Sequence, residues 1–101
     1  MIKIVVTYRN DKIKSLVISG HANYASKGND LICAAVSTVF QAGLEAFNEE
    51  NKLNVELDNG FGKLEFKEEI NKHDEIVLEV IMKQLECICR NYPQYVKLER
   101  K

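Results

Sequence analysis

The sequence predicts a single α/β domain of the α+β type over residues 1–101, with two helices packed on a mixed or mainly antiparallel sheet of about five strands. Three observations carry that expectation. Short segments alternate apolar and polar residues, two longer segments return apolar residues every three or four positions, and turn-forming residues separate them. Read in order, the elements are β-β-α-β-β-α-β.

Ile2, Ile4 and Val6 alternate with Lys3, Val5 and Thr7, and the polar turn Arg9-Asn10-Asp11-Lys12 leads to a second β-rich run from Ile13 to Ser19. Together these read as a hairpin. From Asp30 the period changes, with Ile32, Val36, Val39, Phe40, Gly43 and Phe47 spaced for a helix whose front half is expected to be largely buried. Leu53, Val55 and Leu57, the turn Asp58-Asn59-Gly60, and then Leu64 and Phe66 make a second hairpin. Val77, Ile81, Leu85, Ile88 and Tyr92 form the most regular helical stripe, opposed by Glu79, Lys83, Glu86 and Arg90. Pro93 ends that helix, and Tyr95, Val96 and Leu98 read as a last strand.

Composition narrows the function classes. Fourteen basic against fifteen acidic residues leave a formal charge of −1, so no global positive field favours nucleic acid or an anionic membrane. No apolar run approaches the roughly 20 residues a bilayer span needs. The chain opens directly as a strand without a charged leader, which predicts a cytoplasmic protein. Three cysteines in no disulfide-like spacing suit a reducing compartment, where a special cysteine acts as a nucleophile rather than a staple.

Cys33 falls just inside the expected start of the first helix, where unpaired N–H groups and the helix dipole favour an anion, and a thiolate is the anion on offer. His21 follows Gly20 at the end of the second strand, and the segment between it and Cys33 is long enough to fold back and bring imidazole to sulfur. The plainer alternatives are a cysteine packed as a small hydrophobe and a strand-end histidine bonded to backbone. The connecting stretch 22–29 is small, polar and weakly patterned, a candidate mobile functional segment. Within it Tyr24 is a candidate substrate contact and Gly28 a candidate hinge or positive-φ residue. Asp30 is open to three roles: orienting His21, capping the helix, or receiving a basic group of a substrate. Ser37, one helical turn after Cys33, could bond within the site or back to the Cys33 carbonyl. Cys87 and Cys89 point too far apart on a helix to share a metal, and His73 reads as an exposed helix-start residue.

Gly20-His21-Ala22 together with Gly28-Asn29-Asp30-Leu31-Ile32-Cys33-Ala34-Ala35-Val36-Ser37 strongly resembles the signature of the ribosomal-processing cysteine protease (Prp) family, and the resemblance spans essentially the whole chain. It implies a cysteine endopeptidase that needs no cofactor and removes the N-terminal extension of large-subunit ribosomal protein twenty-seven. It implies further that His21 and Cys33 form a catalytic dyad, with Gly20 and Ala34 in the same motifs, that the intervening segment is a loop over the site, and that the protein is a homodimer. An aromatic residue before the cut and small residues after it are also implied. The competing expectation is a non-catalytic ribosome-associated or RNA-binding module, which would show a basic strand interleaved with aromatics; the sequence has none.

Overall fold

Two tight turns set the first pairings. In the computed structural model, which describes residues 1–22, 25 and 30–101, strands β1 (Ile2–Arg9) and β2 (Lys12–Gly20) are joined through Asn10 and Asp11. Both turn residues take positive φ, +52° and +64°, as a two-residue hairpin of right-handed twist requires. β3 (Leu53–Asp58) and β4 (Phe61–Phe66) form the second hairpin, where Gly60 alone takes positive φ. Helix α1 (Leu31–Ala46) and a short 3₁₀ turn (Glu50–Lys52) connect the hairpins, and α2 (Lys72–Asn91) leads to β5 (Val96–Arg100).

The sheet order is β3-β4-β2-β1-β5, antiparallel except for the parallel β1–β5 pair. This is the mixed five-stranded sheet with two helices that the periodicities predict. The order also explains why both helices share one face. The β2–α1–β3 and β4–α2–β5 units join parallel strands and travel in opposite directions across the sheet, and their strands also run oppositely. The two reversals cancel, so two right-handed crossovers put both helices on the same side.

Under them lies the core. Ile4, Val6, Leu16, Leu64 and Val96 from the sheet meet Ile32, Val36 and Phe40 of α1 and Leu78, Ile81, Met82 and Leu85 of α2. Each such side chain contributes roughly 1.5–3 kcal/mol by leaving water. Close approach between layers depends on two glycines that lack a Cβ: one at Gly43 would lie 2.5 Å from Ile81 Cδ1, and one at Gly62 would lie 2.7 Å from Phe40 Cε2. Register shifts between Thr7 and Tyr8, leaving Lys14 unpaired in β2, so that Ile13 and Leu16 both serve the core side.

Two expectations change in detail. The front half of α1 is not buried throughout: Leu31 is 73% exposed and Ala34, Ala35, Ser37 and Thr38 are exposed, because the helix rests on one sheet and one neighbouring helix only. Tyr92 leaves the α2 stripe and is 43% exposed, since the residue before Pro93 is driven out of the helical region and adopts φ −133°, ψ 56°. The stripe that is buried contains Leu78 and Met82 in its place.

Polar residues fasten the helix starts. Asn71 caps α2 by accepting from the Asp74 amide at 2.8 Å. Asp74, with no exposed surface, accepts in turn from the Asn48 and Glu49 amides at 2.9 and 3.1 Å and lies 2.8 Å from His73 Nδ1, tying the exit of α1 to the entrance of α2. His73 itself is exposed, as expected. No helix among the described residues is long and apolar enough to cross a membrane.

Candidate active site

Asp30 starts α1 in an extended conformation (φ −82°, ψ 97°), and its Oδ1 accepts from the Ile32 and Cys33 amides, each at 3.0 Å. Of the three roles open to it, helix capping is the one these bonds perform. The Ala34 amide donates to the Asp30 carbonyl at 3.1 Å, so the amides of Ile32, Cys33 and Ala34 are already engaged. Cys33 is half-buried just inside this start, and its Sγ accepts a hydrogen bond from the Ala22 amide at 3.2 Å. An N–H aimed at sulfur and the positive end of the helix favour negative charge there, while the Asp30 carboxylate opposes it.

The Ala22 amide reaches the sulfur because β2 ends in an unusual turn of the backbone. Gly20 has φ +92°, and a Cβ there would stand 2.3 Å from the Met1 carbonyl oxygen, so only glycine fits. The chain leaves the sheet at this point, carrying His21 out and bringing Ala22 back over Cys33. His21 is exposed and lies against the β3–β4 turn. Among the described residues no hydrogen bond joins the imidazole to the sulfur, although both line one cleft.

That cleft has a volume of about 480 Å³, within the range of ligand sites, and runs between the first half of α1 and the β3–β4 hairpin. Cys33, Ser37 and Gln41, at helical spacing of four, line its α1 wall, and Ile18, Phe40, Leu57 and Phe61 give it apolar surface. Gly62 deepens the floor, since the absence of a side chain there leaves room for the Phe40 ring. A second cleft of about 510 Å³, bordered by Arg9, Lys12 and α2, has no cysteine or histidine among its described lining residues.

The structure thus brings Cys33, His21, Gly20, Asp30 and Ser37 to one cleft. Ala34 is exposed next to it. The Ser37 hydroxyl makes neither of the bonds considered for it among the described residues. Tyr24, Gly28 and most of the 22–29 segment lie outside the described residues. Cys87 is exposed and Cys89 half-buried on α2; burial, with Glu86 nearby, pushes the Cys89 thiol up, away from the nucleophilic form. Sequence reasoning missed the Ala22 amide, Gln41 and Gly60. Periodicity gave a weak signal for Gln41, two turns after Cys33, and none for the other two.

The family model for cysteine protease Prp matches residues 1–97. The ribosomal processing cysteine protease Prp of Mycoplasma pneumoniae is 34% identical over 101 residues, covering 98% of this chain and 94% of that one. The Prp of Bacillus subtilis is 31% identical over 107 residues, covering 97% and 96%. Among solved structures, an essential ribosomal processing protease Prp from S. aureus, in complex with a covalently linked product peptide, superposes with a TM-score of 0.90 over all of both chains at 21% identity.

Proposed function

The chain belongs to the Prp family of cysteine proteases, and on that premise we propose that it removes the N-terminal extension of large-subunit ribosomal protein twenty-seven, with Cys33 as nucleophile and His21 as its base. The observation that carries this reading is the placement of the Cys33 sulfur at a helix start, under the Ala22 amide and in the cleft that His21 also lines. Such hydrogen bonds often tighten only when substrate is bound, so a base without a bond to the resting thiol remains in reach of its role.

The steps follow from these positions. His21 accepts the Cys33 proton as Sγ forms a bond to the scissile carbonyl carbon, whose π electrons move to oxygen. The Ala22 amide, already aimed at the sulfur, is the donor best placed to hold that oxyanion, because the amides of Ile32, Cys33 and Ala34 are engaged by Asp30. Collapse breaks the C–N bond, and the leaving amine takes the proton from His21. Water, deprotonated by His21, then attacks the thioester and releases Cys33. The apolar floor of Phe40, Phe61, Leu57 and Ile18 supports the aromatic residue expected before the cut. Incubating the purified protein with the extended ribosomal protein should lower the substrate mass by that of the extension; an intact precursor after prolonged incubation rejects this substrate.

The same reading carries a cytoplasmic setting, where thiols stay reduced, and a homodimer. Ile76 and Val80, one helical turn apart on α2, are 50% and 51% exposed and supply apolar surface for a second copy. Sedimentation at micromolar concentration should give twice the chain mass, and a value near 11.6 kDa would count against the dimer.

A further inference from the structure

The His21 ring lies against Gly60. A Cβ built on Gly60 would lie 2.7 Å from the His21 Nε2, 3.0 Å from Cε1 and 3.5 Å from Cδ2, so the ring occupies the space in which any other residue would place its side chain. Backbone geometry holds this seat in position. Gly60 has φ +72° as the second residue of the β3–β4 turn, and its carbonyl accepts from the Gly20 amide at 2.9 Å, which joins the turn to the residue immediately before His21. Gly20 in turn is held against the Met1 carbonyl. Among the described residues the imidazole makes no hydrogen bond. Nucleophile–base pairs commonly use a third polar group to orient the base; packing against the turn stands in that place here.

We propose that Gly60 is a positioning residue of this protease: the β3–β4 turn seats the His21 ring in the cleft it shares with Cys33, and the seat exists only while position 60 lacks a Cβ. The inference rests on the reading of His21 as the base and deepens it. Two glycine-specific properties coincide at Gly60, positive φ and the missing side chain, and they separate experimentally. Asparagine tolerates the left-handed region yet carries a Cβ, so Gly60→Asn retains the turn while blocking the seat.

The test compares wild type, Gly60→Asn and His21→Ala in thermal midpoint, in kcat and KM on a peptide spanning the cleavage site, and in the pH dependence of Cys33 alkylation by iodoacetamide. Gly60→Asn is expected to stay folded, to keep KM, to lose kcat by roughly 10²-fold as the base is misplaced, and to reproduce the alkylation profile of His21→Ala. A folded Gly60→Asn with wild-type kcat and profile overturns the seat. If His21→Ala itself keeps wild-type kcat and profile, the base assignment fails instead, and the two failures are thereby distinguished. Nuclear Overhauser contacts between the Gly60 α-protons and the His21 ring are expected in the wild-type chain, and their absence overturns the proposal whether or not the variants fold.

Discussion

Replacing Cys33 by Ala is expected to abolish cleavage of the extended ribosomal protein, with kcat/KM falling on the order of 10⁴-fold or more, as removal of a nucleophile does elsewhere. The fold should persist. Alanine is the best helix former, the side chain is only half-buried, and the Asp30 cap does not involve the thiol. Among the described residues, the one bond lost is that from the Ala22 amide to sulfur. Because docking in the cleft needs no thiol, Cys33→Ala should co-purify with uncut precursor, whereas Cys87→Ala and Cys89→Ala should cleave at the wild-type rate. Activity retained by Cys33→Ala and lost in Cys87→Ala would move the chemistry to α2.

The largest expected effect on stability comes from a residue far from sulfur. Asp74→Ala removes the acceptor of the Asn48 and Glu49 amides and the carboxylate beside His73 at once. Leaving the Asn48 and Glu49 amides without their acceptor costs about 2–3 kcal/mol, a sizeable part of the about 5–15 kcal/mol that holds a small domain together. The midpoint of thermal unfolding should fall by roughly 10–20 °C. A fall of no more than a few degrees would show that water takes the carboxylate's place.

Acid should expose the same residue. Burial pushes the Asp74 carboxyl up, but hydrogen bonds from the Asn48 amide, His73 and the Glu49 amide outweigh it and take the group below its ordinary value of 3.8. A carboxyl lower in the folded than in the unfolded chain contributes its full stability above the unfolded value and loses it as pH falls through the folded one. Asp74→Asn should therefore be less stable than wild type at neutral pH, with the gap closing in acid.

What was legible in the sequence was whatever depends on neighbours along the chain. Alternation in β1 to β4 and helical spacing in α1 and α2 express which face each side chain takes, and an aspartate three residues before a cysteine offers a bond between residues a few positions apart. They place Cys33 just inside a helix start before any fold is known, while the structure decides that Asp30 caps it. The burial of Asp74 was not legible, since a carboxylate at a helix start looks the same whether water or the Asn48 and Glu49 amides solvate it. Nor was Tyr92, whose period fits the stripe until Pro93 turns it away. Only the tertiary structure decided what surrounds the thiol and the imidazole. Because β4 pairs with β2, the β3–β4 turn lies beside the end of β2, so Gly60 comes under His21 while the Gly20 turn carries Ala22 over Cys33. Strand alternation sets which face a side chain takes, but not which strand lies next to which; that order follows from crossover handedness and from burying one shared core.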